Sequence, residues 1–370
     1  MAMRLLFNSI ALLLAVVSFA AMNAKASTNR PIRIAALWSK NTASEYLCVL
    51  EAMTKQSIKQ GHKVTLTSFE YNNSIPDLLS ASEQIVSQGY DIVIGPRTSQ
   101  EALTTAPVFE KANLPQIVPV ASHEEITRKY RNTFRIIGSS ESYSKKIAKF
   151  IHQVLEPKKI VVVSNLSSPY STNYRSAILP NLERLKSKAT LAYIDLIDGT
   201  TDYKTVVDKI LKENPEVIYA PVYSVDLTNL YANLSERKIS VKIVTHAGMF
   251  NATELLNEHY KPGIELFFNG LWDVKSVGHH DHRFKRLLKT DCKGMPENIR
   301  TAAAYDAFLL AAEMTKISAK SGANLVAAAR KIKFHGILGE WKSEEFGEPY
   351  RPLPIYKFTK KGQTPFYTVQ

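Results

Sequence analysis

The chain has 370 residues, 45% of them hydrophobic and 22% charged, with a formal net charge of +13. That balance excludes a disordered chain and fits a globular protein with one or two substantial cores. The positive charge raises nucleic acid or an acidic membrane as partners, but the lysines are scattered along helices and not gathered into one block. Lys145, Lys146 and Lys149, like Lys285, Arg286 and Lys289, read as wet helix faces, and no nucleic-acid partner is expected.

Met1 to Ala26 combines Arg4, a mostly apolar stretch from Leu5 to Met22, and the small-x-small end Ala24-Lys25-Ala26. This is the pattern of a secretory signal peptide. Asn8, Ser9 and Ser18 interrupt the apolar run, which leaves it short for a membrane span. The expected mature chain begins near Ser27, is exported, carries no lipid-anchoring Cys at its start, and stays out of the bilayer.

Strand and helix then alternate. Ile32 to Trp38 reads as a strand, Ala43 to Gln60 as a helix, Lys63 to Phe69 as a strand and Ile75 to Ser87 as a helix. From Asp91 to Ser122 the chain reads DIVIGPRTSQEALTTAPVFEKANLPQIVPVAS. Ile92 to Ile94 is an apolar run suited to a strand buried on both faces. Gly95-Pro96 ends it, and Thr98 and Ser99 are placed to cap a helix over Gln100 to Lys111, with Glu101 where the helix dipole favours an acid. A second buried strand, Gln116 to Val120, ends in Ala121-Ser122. Free N–H groups at a helix start, with Ser and Thr hydroxyls, suit a carboxylate or another small anion at the ends of parallel strands.

The alternation continues through Lys159 to Val163, Asn173 to Lys186, Leu191 to Leu196, Tyr203 to Lys212, Val217 to Ala220 and Asp226 to Glu236. Such a series predicts an α/β protein with parallel sheets covered by helices. Roughly 340 mature residues favour two lobes over one sheet. With no repeat or Pro/Gly-rich linker between them, the lobes are expected to be joined by several strands. Cys48 and Cys292 are the two cysteines; export permits a disulfide, and the sequence leaves their pairing open.

Candidate polar and aromatic groups follow from this frame. Arg97 lies inside the Gly-Pro-x-x-Ser turn, either as a two-point grip on a carboxylate or as a solvent-facing loop residue. Trp38, at the end of the first strand, is either a wall of the pocket or core. His279, His280 and His282 around Asp281 invite a metal reading, but adjacent residues in an extended loop point to opposite sides, and a helix start is the better account. No dinucleotide, phosphate-loop, nucleophile-elbow or His-Glu-x-x-His motif is present, so neither an enzyme nor a cofactor is expected.

The run GPRTSQEALTTAPVFEKANLPQIVPVAS resembles the same region of the leucine/isoleucine/valine-binding family, the type I periplasmic binding proteins of ABC importers. Three later segments resemble it too: Asp202 to Val207 with Asn214 to Ile218, TAAAYDAFLLAAEM from Thr301 to Met314, and FHGILGEWKSEEFGEP from Phe334 to Pro349. The resemblance implies two Rossmann-like lobes with parallel sheets joined by a three-crossing hinge. The first lobe is then residues 32–135 plus 275–338 and the second 136–274 plus 339–370, with crossings near Arg135, Val274 and Leu338. It implies ligand contacts from Ser99, Ala121 and Ser122 in the first lobe and from Tyr170 and Tyr223, in loops after strands of the second. The function it implies is a monomeric periplasmic protein that captures a small molecule and hands it to the permease of an ABC importer. The competing reading on the same fold is a regulatory envelope protein that docks on a membrane partner.

One departure narrows the ligand. Amino-acid receptors of this family place an acidic residue after the strand read here as Lys242 to Thr245, because a buried ammonium needs an opposite charge. This chain has Thr245-His246-Ala247-Gly248 there, with Ala247 matching the acid. Unless Asp226 or Glu124 reaches in, the ligand is expected to be something other than a plain α-amino acid, with His246 and Arg97 suited to an acid or an amide.

Overall fold

The computed structural model describes residues 30–247, 253–271, 281–342 and 353–369, of which 253–255 and 281 by backbone alone. The signal-peptide segment, His279, His280, Gly248 and the crossing expected near Val274 lie outside the described residues.

The first sheet is all parallel. Its strands are β1 (Ile32–Ser39), β2 (Val64–Tyr71), β3 (Ile92–Ile94), β4 (Gln116–Val118) and β5 (Thr133–Arg135), in the order β2-β1-β3-β4-β5. The intervening helices are α1 (Ala43–Lys59), α2 (Ile75–Ser87), α3 (Ser99–Lys111) and the single turn α4 (Glu125–Arg128). On one face of β1, Ala35 and Leu37 pack with Leu78, Ile85 and Phe109 of α2 and α3; on the other, Ile34, Ala36 and Trp38 pack with Tyr46, Val49 and Met53 of α1. This period-2 division is why the strand reads as one apolar run: both faces are covered.

The chain then enters a second sheet through α5 (Ser140–Phe150) and a π-helical turn at 151–155. Its parallel part is built from β6 (Lys159–Asn165), α6 (Pro169–Arg184), β7 (Thr190–Leu196), α7 (Tyr203–Lys212), β8 (Val217–Tyr219), α8 (Ser224–Ser235), β9 (Val241–Thr245), α9 (Thr253–Glu258) and β10 (Ile264–Asn269). After it come α10 (Asp281–Thr290), α11 (Ile299–Ser321), which packs on α1, and the short α12 (Leu325–Ala329). A hairpin of β11 (Lys333–Gly336) and β12 (Gly339–Lys342) precedes β13 (Leu353–Thr359) and β14 (Gly362–Val369), which add antiparallel strands to the second sheet. The order of that sheet is β14-β13-β10-β9-β8-β6-β7.

The connections between the sheets are tied by buried polar contacts. The fully buried Arg135 guanidinium donates to the Ser122 carbonyl at 2.7 Å and to the Thr127 hydroxyl at 2.7 Å. Trp341 Nε1–H donates to the Arg135 carbonyl at 2.8 Å, which sets the outgoing β12 against the end of β5. Asp306 of α11 accepts from the N–H groups of Ile337 and Leu338 at 2.7 and 2.9 Å. Gly336 lies so close that a Cβ there would fall 2.3 Å from Asp306 Oδ1, so the turn needs glycine. These contacts give the Tyr-Asp pair and the Phe-x-Gly turn one shared structural purpose.

The pairing left open by the sequence is decided, and several expectations change. Cys48 on α1 and Cys292, just past α10, form a disulfide with Cα atoms 5.7 Å apart, which joins segments 244 residues apart in sequence. Lys146 is 6% exposed and not on a wet face, because α5 is covered on more than one side; Lys285, Arg286 and Lys289 are exposed as expected. The β4 strand stops at Val118, before Pro119, whose missing N–H cannot extend the ladder. α6 begins at Pro169, four residues earlier than expected, so Tyr170 stands in a first helical turn and not in a loop. Ser168 caps it by accepting from the Ser171 N–H, and proline suits the first helical position.

Candidate functional site

The site lies at the carboxyl ends of both parallel sheets, where successive loops leave polar groups uncovered by the ladders. On the first sheet the turn after β3 is fixed by close approach. Gly95 has φ of +114°, and a Cβ on it would come 2.2 Å from the Leu37 carbonyl oxygen, so the turn sits directly against the end of β1 beside Trp38. Helix α3 then starts in a capping box: the Glu101 N–H donates to the Thr98 hydroxyl at 3.2 Å, and the Thr98 N–H donates to Glu101 Oε2 at 2.8 Å. Ser99, the first helical residue, is 1% exposed and its hydroxyl has no hydrogen-bond partner.

Arg97 is half-buried just before this helix start, and among the described residues it makes no hydrogen bond or ion pair. Burial pushes the Tyr46 phenol on α1 and the Tyr223 phenol at the start of α8 above the ordinary tyrosine pKa, and the Arg97 charge pulls both back down. The Arg97 charge acts in the same direction on the Tyr71 phenol at the end of β2, so the guanidinium stands within electrostatic reach of Tyr46, Tyr71 and Tyr223. Glu101 acts on the same three phenols in the opposite direction.

Aromatic rings line the rest. Trp38 stacks on Tyr46 with centroids 4.0 Å apart, and Tyr223 stacks on Tyr170 at 4.6 Å. Tyr170 meets Tyr174 edge-on at 5.0 Å, and Tyr174 lies over His246 at 3.7 Å. The His246 Nε2 and the Tyr219 hydroxyl are 2.7 Å apart. Trp38 Nε1 and the Tyr46 hydroxyl are buried without a hydrogen-bond partner. Burial holds the His246 imidazole down to about 3, so it is neutral at neutral pH, and a side-chain hydrogen bond with Asn269 opposes that shift.

The residues expected from sequence divide by position. Ser99 and Arg97 stand at the start of α3, Trp38 stacks on Tyr46 and Tyr223 on Tyr170; the Trp38 indole is fully buried and its N–H is unpaired. His246 lies beneath Tyr174, and Ala247 follows it half-buried. Ser122 is already engaged: its carbonyl accepts from Arg135 and from the Ser140 hydroxyl, and its own hydroxyl lies 3.1 Å from Ser140 Oγ. Ala121 packs with Ala102, Val118 and Ile126.

Asp226 accepts from the Tyr203 hydroxyl and from Asn165 Nδ2, so it is already engaged. Glu124 Oε1 accepts from the Glu141 N–H beside Arg135, Glu124 Oε2 is buried without a hydrogen-bond partner, and burial raises the Glu124 pKa. Among the described residues no group of three metal-ligating side chains comes together.

Sequence reasoning missed Tyr46, Tyr174, Tyr219 and Asn269. Signals existed: Tyr46 is in the first turn of the helix after the first strand, Tyr174 is one helical turn beyond Tyr170, and Asn269 is a polar residue closing the apolar run IELFFN. Each is meaningful only once the strand ends are known to converge.

The family model described as Periplasmic binding protein matches residues 40–363. Curated relatives include the Leu/Ile/Val-binding protein of Escherichia coli (strain K12), 22% identical over 207 residues, which is 55% of each chain. Another is Leu/Ile/Val-binding protein homolog 1 of Brucella melitensis biotype 1, 21% identical over 315 residues, 84% of this chain and 83% of the relative. The chain thus spans about half the length of the first relative and most of the second. Among solved structures, a leucine binding protein from Thermotoga maritima superposes with a TM-score of 0.80 at 16% identity, covering 91% of this chain and 98% of that one. An ABC-transporter solute binding protein from R. palustris in complex with 4-hydroxybenzoate gives 0.79 at 14% identity, covering 92% and 97%. At such identity these likenesses establish the α/β fold with parallel sheets, and the family match over residues 40–363 shows that the chain belongs to the periplasmic binding proteins.

Proposed function

We propose that this chain is an exported solute-binding protein that captures a small carboxylate lacking an ammonium group and delivers it to the permease of an ABC importer. The observation that carries the reading is Arg97: a half-buried guanidinium that has no hydrogen-bond or ion-pair partner among the described residues, beside an unpaired Ser99 hydroxyl at a helix N-terminus. A buried or half-buried charge without a counter-charge is costly, and a ligand carboxylate supplies the missing partner in two-point geometry. Among the described residues, Asp226 on the second sheet is already engaged by Tyr203 and Asn165, which argues against leucine-like ligands, although related proteins are named for leucine, isoleucine and valine. A related solved structure holds 4-hydroxybenzoate, a carboxylate without an amino group, and stacked tyrosines suit a flat body of that kind.

In this reading the first lobe is 32–135 plus 275–338 and the second is 136–274 plus 339–370, with the ligand held between Arg97 and Ser99 on one side and Tyr223, Tyr170 and His246 on the other. Support comes from the two sheets, from the packing of α11 on α1, and from the Trp341–Arg135 contact where two passages between lobes meet. Ligand contact with both lobes then favours closure by differential affinity. Titration calorimetry with leucine, isoleucine, valine, benzoate and aliphatic des-amino acids tests the proposal. Micromolar binding of a carboxylate and none of the amino acids is expected; tight binding of a branched-chain amino acid overturns it.

A further inference from the structure

Part of the chain's positive charge gathers where α10 lies against α1. Phe284, Leu287 and Leu288 turn one side of α10 into the core, and Lys285, Arg286 and Lys289 stand exposed on the other. Lys293 follows, exposed, just beyond the helix. Two contacts fix this end of α10 on α1: the Cys48–Cys292 disulfide, and Gln56 Nε2–H donating to Asp291 Oδ2 at 3.1 Å. Lys55 and Lys59 lie about two and three turns beyond Cys48 on the same side of α1, both exposed, and they extend the basic face across the two helices. Against these cations stand Asp291, which accepts from Gln56, Glu297, which pairs with Lys285 at 3.6 Å, and Glu51 on α1. The face keeps a net positive charge.

A hollow of about 380 Å³ lies in this face, lined by Lys285, Lys289 and Lys293 together with Leu288, Met295 and Glu297. Three ammonium groups around one hollow repel one another, and an anion among them removes that cost. Each is a compact point charge with three donors, which suits phosphate oxygens. A single free phosphate in the hollow leaves Arg286, Lys55 and Lys59 unanswered. A plane of phosphates answers all of them together, because α10 extends about 15 Å and presents its cations in a row. An exported protein meets such a plane in the phospholipid headgroups of the membrane it serves. Among the described residues no helix is long and apolar enough to cross a membrane, so the contact is electrostatic and without insertion.

We infer that α10, pinned to α1, is a docking face for the anionic headgroups of a phospholipid bilayer, with a lipid phosphate held between Lys285, Lys289 and Lys293. The face is separate from the carboxylate site. α1 begins beside that site at Tyr46, and Lys59 lies about 20 Å further along the helix. Docking therefore holds the protein near the membrane without filling its cleft. The inference rests on the exported reading for the presence of the bilayer, and not on the identity of the captured solute.

The test is co-sedimentation of the purified chain with vesicles of phosphatidylcholine alone and of equal parts phosphatidylcholine and phosphatidylglycerol. At about 0.15 M salt the mixed vesicles are expected to bind about tenfold or more tightly, with the preference fading as salt is raised. Lys285→Gln/Lys289→Gln/Lys293→Gln is expected to lower binding to the mixed vesicles about tenfold or more. Lys204→Gln/Lys209→Gln/Lys212→Gln removes the same charge from the exposed side of α7 and is expected to change it less than about threefold. Equal losses in the two variants mean attraction by net charge alone and overturn the inference, as does equal binding to the two kinds of vesicle. Complete displacement by inorganic phosphate assigns the hollow to a free anion, and tighter binding to heparin than to mixed vesicles assigns the face to a soluble polyanion; either result overturns it. All six substitutions are at exposed positions, matching urea midpoints check that the variants fold, and the vesicle comparison on the native chain stands without them. Every outcome leaves the calorimetric test of the carboxylate reading untouched.

Discussion

His246 should make the protein sensitive to mild acid in a way that one substitution removes. The imidazole is 1% exposed, and burial lowers its pKa from 6.5 to about 3. The titratable groups packed on it are Tyr174 and Tyr219, whose phenols burial holds neutral, so neither helps it take a proton. Between the two pKa values the unfolded chain binds the proton and the folded chain does not, so stability falls as pH drops below about 6.5 and the loss is complete near 3. From about pH 7 to pH 5 the proton-binding polynomial of the unfolded imidazole grows about 25-fold while that of the folded state barely changes, a loss of about 2 kcal/mol. Urea unfolding of the native chain and of His246→Gln at both pH values isolates this contribution, because His123 and the carboxylates are common to the two. The expected outcome is a smaller acid loss in the variant by about 2 kcal/mol. Equal losses, within about 0.5 kcal/mol, would refute the claim that the folded protein withholds this proton.

Three further outcomes are expected. Arg97→Gln should weaken carboxylate binding about 10- to 100-fold, the value of a charge-assisted hydrogen bond, without lowering the unfolding midpoint of the unliganded protein, since among the described residues Arg97 has no partner to lose; unchanged affinity in calorimetry places the anion elsewhere. Replacing Cys48 and Cys292 together by Ser should cost about 2–5 kcal/mol in urea unfolding, because the bridge closes a loop of 244 residues in the unfolded chain, and an unchanged midpoint contradicts this. Gly336→Ala should destabilise by roughly 2–4 kcal/mol, as the new Cβ displaces the Asp306 carboxylate from the two N–H groups it receives; a loss below about 0.5 kcal/mol in the same assay means that the turn yields freely.

What the sequence determined by itself is the series of elements and several of their ends. The strands Ile32–Ser39, Ile92–Ile94 and Val217–Tyr219 are apolar runs, and helix starts at Thr98 and Asp202 carry their own caps. Apolar periodicity and capping act over a handful of residues, so a linear reading recovers them, and the ordered series implies parallel sheets. The Gly-Pro-x-x-Ser turn was legible for the same reason, as were Ser99 and Arg97 within it.

Only the tertiary structure decided which atoms those elements leave paired. Cys48 meets Cys292 because α1 and the end of α10 pack together across 244 residues, a distance no spacing rule reports. Lys146 sits at a position that looks solvated on its own helix and is buried by neighbours from other parts of the chain. Tyr46, Tyr174 and Asn269 become candidate site residues only when strand ends from both halves of the chain converge. Arg97 without a partner among the described residues is likewise a property of packing: satisfaction of a buried polar group depends on every element around it, and no local pattern encodes that.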